Sequence, residues 1–503
     1  MPQEIELKLA IPAHAWRAVA RHPQLAAAEK LATRKLINIY YDTPDLDLRE
    51  RGVALRLRKQ GGKWLQTVKC AGTASGGLSH RPEWEYPYHG EAFDFRPIDD
   101  DKLRQWLGRD KLQRQLKPVF TTTFQRQTWR VVGENAAVVL VMFDRGEIEV
   151  GADHEPIGEI ELELEQGGVE DLVALARSLA SRLPLRPEAA SKAERGYHLF
   201  AGAGLRPHKS NSSPLVAQHS ALEGFKAIAL ACIQHIQANE AGVITSPDPE
   251  FIHQMRVGIR RLRSAMRLFA PVVGGALPED LSPRLGELAG TLGEARDWDV
   301  LISELMHPVA TAFPDDERLD HLIAAAAAHR DSARQHTVTE LNGVDYGCLM
   351  IDLLAAILRP PPEATTQEMP TLAAFAQERL VSLHRRVKKA AKKARSLDIG
   401  ALHRLRIAIK RLRYALEFFA PIYPQRAVRR DVKELTRLQD DLGAINDIAN
   451  AGPRLALCAN EHDALHQAVA MVGGWYGPRY QDLMARLPRD MAAVAKHRFV
   501  WDK

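Results

Sequence analysis

The second half of the chain repeats itself, and that repeat constrains its fold more than any local propensity does. His253–Pro271 (HQMRVGIRRLRSAMRLFAP) aligns without gaps to His403–Pro421 (HRLRIAIKRLRYALEFFAP) at about half identity, with an offset of 150 residues. The same offset carries Leu292-Gly293 onto Leu442-Gly443 and Asp297 onto Asp447, so the register continues into the following segment. Ala-, Leu- and Arg-rich stretches with helical spacing dominate here, broken by loops such as TSPDPE and LRPPPEATTQEMP. A unit of this kind buries its apolar stripe against neighbouring helices. Two tandem helical bundles are expected, about residues 215–360 and 370–500, within an all-α region 215–503.

The first 200 residues read differently. EIELKLA, VALRLRKQ, KWLQTVKC, RPEWEYPY, AVVLVMFD and EIELELE alternate polar and apolar residues, with glycine-containing breaks between several of them. This predicts an antiparallel β domain with a few flanking helices over 1–200. AGAGLRPHKSNSSPL, rich in Gly, Pro, Ser and Asn, marks a linker at about 201–214. The chain is therefore expected to be an α+β protein in two parts, as 503 residues exceed one ordinary core. Cys70, Cys232, Cys348 and Cys458 are far apart and form no CxxC pair, which argues against zinc or a disulfide framework and fits a reducing cytoplasm. The opening MPQEIELKLA lacks a signal-peptide pattern, and no apolar run approaches the ~20 residues of a bilayer span. A cytoplasmic location without a membrane partner is the expectation.

In EIELK, Glu4, Glu6 and Lys8 alternate with Ile5, Leu7 and Leu9, so in a strand the charges share one face. Alone, this fits either a site or a strand with water on one side. The pattern returns in GEIELELE, which puts Glu159, Glu161, Glu163 and Glu165 on one face of a second strand. A row of carboxylates is disfavoured unless cations face it. Basic partners in strand register are present: Arg56 and Arg58 in ALRLR, Lys69 in LQTVK, Arg81 in parity with Glu83 and Glu85, and Arg126 in parity with Arg130. Charges lining the inward faces of several strands imply a hydrated tunnel. Such a lumen suits a chain of closely spaced phosphates, gripped by Arg and Lys, with hard carboxylate oxygens carrying Mg²⁺ or Mn²⁺.

The net charge of +5 is mild, so what matters is where the basic residues cluster. His253, Arg256, Arg260 and Arg263 are spaced 3, 4 and 3 and form one helical stripe, with Ile259, Leu262, Met266 and Phe269 on the other side. His403, Arg406, Lys410 and Arg413 repeat it. Arg385, Lys388, Lys392 and Arg395 make a third stripe, which has no basic counterpart in the first repeat. A solvated face is one reading of such a stripe. Like charges at i, i+4 cost helix stability, however, so two copies point to an anion that offsets them, held more by the second repeat. Few stacking aromatics accompany these stripes, which argues against single-stranded nucleic acid. Asp297, Asp299 and Asp447 would orient the basic side chains or form plain salt bridges.

Taken in order, ExExK, LRLR, the VK strand, R-x-E-x-E, Asp144 in FDRG, EIELE and Lys192 in SKAERG resemble the CYTH domain of the triphosphate tunnel metalloenzymes over residues 1–200. The resemblance implies an eight-stranded antiparallel tunnel with substrate threaded through it. It implies Glu4, Glu6, Glu161, Glu163 and Asp144 as metal ligands, with Glu4, Glu6 and Lys8 at the catalytic centre. Lys8, Arg56, Arg58, Lys69, Arg126 and Lys192 would grip the phosphates. Arg81 would join the grip or, with Glu83 and Glu85, form a salt-bridged strand face; Glu159 and Glu165 are left to supporting or rim positions. Among the family's activities, inorganic triphosphatase fits best, since Glu4 lies too near the start for the HF pair of the cyclase type. The twice-occurring H-x-x-R-x-x-I-[R/K]-R-L-R resembles the CHAD domain, which implies paired four-helix bundles that bind inorganic polyphosphate. Together the two resemblances imply hydrolysis of tripolyphosphate with Mg²⁺ or Mn²⁺, next to a polyphosphate-binding module, in the cytoplasm or at polyphosphate granules.

Overall fold

The computed structural model describes residues 3–70, 73–75, 77–90, 92–133, 136–202, 204–211, 213–359, 369–459 and 463–502, without the side chains of 3, 4, 73–75, 79–81, 463 and 464. It divides into two compact units, 1–206 with 340–359, and 207–339 with 360–503.

In the first unit, the alternating segments form β1 (Gln3–Ala10), β2 (Arg34–Asp42), β3 (Val53–Gln60), β4 (Lys63–Cys70), β5 (Leu78–Tyr88), β6 (Lys117–Val132), β7 (Val138–Val150) and β8 (Asp153–Gln166). They pair in the order β1-β8-β7-β6-β2-β3-β4-β5, and β5 pairs back onto β1. Among the described residues these eight antiparallel strands therefore close on themselves, which removes the exposed edges an open sheet would present. The period of two then sorts the side chains. Leu7 and Leu9 are fully buried on the outer side, where α1 (Val169–Ala180) packs across β1 and β8, while Glu6 and Lys8 turn to the lumen.

A short helix, α2 (Lys192–Phe200), crosses β6, β7 and β8. Ser191 caps it by accepting from the Glu194 backbone N–H, and the Glu194 carboxylate returns the bond to Ser191 N–H at 2.7 Å. Its close approach requires Gly196: a Cβ there would stand 2.2 Å from the Phe120 ring of β6.

The helical unit holds α3 (Ala221–Thr245), α4 (Pro249–Leu268), α5 (Leu281–Val300) and most of α6 (Glu317–Leu341), then α8 (Leu372–Lys393), α9 (Ile399–Phe418), α10 (Gln425–Cys458) and α11 (Asp463–Lys496). The repeat thus yields four long helices from each copy. Its offset extends to the caps: Asp248 accepts from the first turn of α4, and Asp398 does the same for α9. The copies meet on an aromatic core of the same symmetry. Phe269 stacks on Phe375 at 4.7 Å and packs against Phe225 at 5.7 Å and Phe419 at 5.8 Å. Phe225 and Phe375, like Phe269 and Phe419, are 150 residues apart.

One further long helix, α7 (Val344–Leu358), lies within residues 340–359 and belongs to the first unit, although the sequence places it inside the first repeat. It packs on α1, where Arg177 Nε bonds Asp352 at 2.6 Å and the Leu185 carbonyl approaches Gly347 too closely for any Cβ. Nine of its fifteen residues are buried, so its near-uniform apolarity (VDYGCLMIDLLAAIL) has a covered face on most sides. No disulfide joins the four cysteines, and no single helix among the described residues is long and apolar enough to cross a membrane.

Candidate functional site

The tunnel encloses a cavity of about 660 Å³. Glu6, Lys8, Arg56, Arg58, Lys69, Arg126, Glu161, Glu163 and Lys192 all line it, brought together from five strands and α2. Glu4 and Arg81 are adjacent in the β1–β5 ladder, but their side chains lie outside the described residues.

The β1–β8 ladder organises the acidic side. Glu6 stands opposite Glu163 and Lys8 opposite Glu161. Glu165, left to a supporting or rim position, is exposed and pairs with Arg130 at 3.2 Å. Lys8 bonds Glu6, and Lys8 with Lys69 holds that carboxyl below its ordinary range although burial works the other way. Glu163 makes no hydrogen bond or ion pair among the described residues. Burial, Glu161 and Glu6 together push its carboxyl up. An acid raised by two facing carboxylates is a place where a cation lowers the energy.

Asp144, expected as a metal ligand, belongs to a buried acidic cluster that could hold a metal ion. It is fully buried and does not reach the cavity. The β6–β7–β8 register sets it opposite both Arg126 and Glu159, and it accepts from Arg126 Nε and Nη2 at 2.7 Å each and from Lys192 Nζ at 2.7 Å. It holds the two cations from behind. Asp144, Glu159 and Glu161 do place carboxylate oxygens within 4.8 Å of one another, a hard-oxygen set suited to a divalent ion. Lys192 Nζ lies among all three and Arg126 on two, so the protein's own cations offset part of the charge that a metal ion would share. The Glu161 carboxyl falls well below the ordinary range, since Lys192, Arg126 and Lys8 outweigh its burial. Glu159, with burial, Glu161 and Asp144 acting against Lys192, rises to about 7.

The basic side has counter-ions that the sequence left undecided. Glu83 lies 3.4 Å from Arg56 and 2.5 Å from Lys69, and Glu85 accepts from Arg58 at 3.1 Å. Asn38 accepts from Arg58 Nε at 3.0 Å. Burial, Arg56 and Arg126 lower the Arg58 guanidinium to about 10, the mark of cations crowded in one place.

In the helical unit the two stripes face one cleft of about 560 Å³. His253, Arg256 and Arg260 reach it from α4 and Arg406 from α9. Lys410 lies beside Arg260, Arg406, Arg256 and Arg413; its burial and these four charges lower its ammonium to about 7. His403 is exposed and lies 3.4 Å from Asn446, which lines the cleft. Asp297 pairs with Arg256 at 3.0 Å and with Arg454 at 2.9 Å, tying the two repeats across it. Arg260 and Arg406 make no ion pair among the described residues, and their Nε atoms are buried without a partner. Arg263 sits lower on α4 beside Arg267, outside the lining. The stripe Arg385, Lys388 and Lys392 is exposed on α8 and does not line the cleft; Lys388 instead stands by His384 at the corner built by Phe499 and Trp501. Arg296 and Arg454 line the cleft and were missed. For Arg296 a signal existed, since it adjoins Asp297 of the repeat.

Residues 2–197 match the CYTH domain family, and residues 227–456 match the CHAD domain family. The chain carries a CYTH domain followed by a CHAD domain. Its CYTH part is similar to an inorganic triphosphatase of Haemophilus influenzae, 35% identical over 202 residues. That alignment covers 40% of this chain and 55% of the relative, so the chain spans about half the length of the curated relative it matches. The CHAD part is similar to the crystal structure of the CHAD domain from the plant Ricinus communis, at 34% identity and a TM-score of 0.51, covering 58% of this chain and 98% of that one. The basic cleft thus lies within the CHAD domain, and the charged tunnel is the interior of the CYTH domain.

Proposed function

We propose that the CYTH tunnel hydrolyses inorganic tripolyphosphate to diphosphate and phosphate with Mg²⁺ or Mn²⁺, and that the CHAD cleft binds polyphosphate. The observation that carries the reading is Glu163, without an ion pair among the described residues, facing Glu6 beside a bank of cations in a closed lumen. Glu6 and Glu163 would hold the metal, with Glu4 on the same face of β1; Glu161 lines the same wall but is shared between Arg126 and Lys192. All are hard oxygen donors of the kind Mg²⁺ and Mn²⁺ take. When bound, the metal supplies Lewis-acid polarisation of a phosphate oxygen.

The chain's own residues account for the rest. Arg56, Arg58, Lys69 and Lys8 hold the phosphates in line, and Arg126 and Lys192, braced by Asp144, keep positive charge where the leaving diphosphate develops negative charge. A water oxygen bonds to the terminal phosphorus as the bridging phosphorus–oxygen bond breaks; the bond's electron pair stays on the leaving diphosphate oxygen, and the proton that the water gives up ends on a phosphate oxygen of the products. Glu83 and Glu85 neutralise the cations before substrate arrives, which supports a lumen that stays hydrated and open.

Binding of polyphosphate in the CHAD cleft is supported by Arg260, Arg406 and Lys410, three crowded cations without carboxylate partners among the described residues. The test is phosphate release by the purified protein on tripolyphosphate, ATP, thiamine triphosphate and long-chain polyphosphate with either metal. Preference for tripolyphosphate, lost in Glu6→Gln, is expected. Absence of turnover with every substrate and metal would leave a polyphosphate-binding scaffold in its place.

A further inference from the structure

One further cation of the tunnel, like Lys192, lies outside the strands. Arg49 lines the same cavity as Arg56 and Arg58 but projects from the short helix Asp47–Glu50 that precedes β3. It stands on a buried hub. Asp42, fully buried, accepts from the backbone N–H of Thr43 at 2.7 Å, Leu48 at 2.9 Å and Arg49 at 3.0 Å, and from the Tyr197 hydroxyl of α2 at 2.8 Å. The Arg49 guanidinium lies over the Tyr197 ring, 5.4 Å from its centroid. Whereas Glu83 and Glu85 pair with Arg56, Arg58 and Lys69, Arg49 has no carboxylate partner among the described residues.

Arg49 also extends a row. The inward positions of β3 run Arg58, Arg56, Ala54, and such positions recur about every 6.7 Å along a strand. Lys69 stands opposite Ala54, and the single methyl of Ala54 and the bare Cα of Gly52 leave the lumen open from there to Arg49. The outer phosphorus atoms of a triphosphate lie only about one such step apart. Arg49 precedes β3, beyond Gly52, and so extends the basic lining of the cavity past the stretch that Arg58, Arg56 and Lys69 cover. We infer that Arg49 binds a fourth phosphate in the tunnel and so decides between a linear chain of three phosphates and one of four.

The inference rests on the reading of the tunnel as a tripolyphosphate hydrolase. Steady-state hydrolysis of tripolyphosphate and of tetrapolyphosphate by the full-length protein, Arg49→Gln and Arg49→Lys tests it. Because Asp42 bonds the backbone of Arg49 and not its side chain, both variants keep the hub. The ratio of KM for tetrapolyphosphate to KM for tripolyphosphate should rise about tenfold in Arg49→Gln and less in Arg49→Lys. A ratio equal to that of the unaltered protein in both variants overturns it. Should the unaltered protein hydrolyse neither substrate, the hydrolase reading falls, and calorimetric Kd values for the two chains decide the inference through the difference between the unaltered protein and Arg49→Gln, which share an identical helical unit.

Discussion

Glu163 faces Glu6 directly across the β1–β8 ladder, and only Glu6 has Lys8 to answer its charge. Two carboxylates in register, one of them pushed up by its neighbours, make a pair whose repulsion a divalent cation removes. Glu163→Gln is expected to raise the Mg²⁺ or Mn²⁺ concentration for half-maximal activity by roughly 10–100-fold, the scale of losses at metal-site groups. Metal titrations of the phosphate-release rate check this, and an unchanged midpoint would remove Glu163 from the metal site.

Asp144 and Glu6 should part company on mutation. Breaking a buried ion pair by removing one partner costs about 3–5 kcal/mol, and Asp144 is the fully buried partner of both Arg126 and Lys192. Asp144→Asn should therefore unfold at clearly lower urea concentration, while Glu6→Gln mainly loses activity. If Asp144→Asn keeps its stability and instead weakens metal activation, Asp144 acts as a metal ligand.

The CHAD cleft predicts a pH dependence with a definite sign. Burial and four neighbouring arginines hold Lys410 at about 7, so near neutrality it is only partly charged. A bound polyanion favours the charged form and raises that pKa, so binding takes up a proton. Polyphosphate affinity should be full below about pH 7 and fall as pH rises through it, by at most about tenfold per unit. Lys410→Arg should flatten this part of the profile. Lys410→Met should bind more weakly at low pH yet melt at a higher temperature, because it relieves the crowding.

Helix α7 predicts the behaviour of fragments. A fragment of residues 1–206 lacks the helix that covers α1 and the partner of Arg177. It should melt lower than the CYTH unit of the whole chain and bind an apolar dye, and a synthetic 340–359 peptide should reverse both. Equal melting with and without the peptide would show that α7 contributes nothing to that unit.

Much of the site could be read from strand parity. Glu6, Lys8, Arg56, Arg58, Lys69, Glu161 and Glu163 reach one lumen because a period of two admits only two faces, and closing the sheet sends one of them inward. Asp144 satisfies the same parity yet sits behind Arg126 and Lys192, since depth within a face depends on which side chains cross in front of it.

What the sequence determined by itself was the pattern that is local or self-similar: the two faces of each strand, the 150-residue offset and, with it, the repeated caps and the four phenylalanines at the centre of the helical unit. These follow from backbone periodicity and from like segments folding alike. Tertiary structure alone decided which carboxylate faces which, that α7 leaves its repeat for the first unit, that the α8 stripe stays outside the cleft, and that Arg49 joins the tunnel. Each of those depends on strand register or on packing between segments far apart in the chain, where the energy lies in pairs of residues and not in any one stretch.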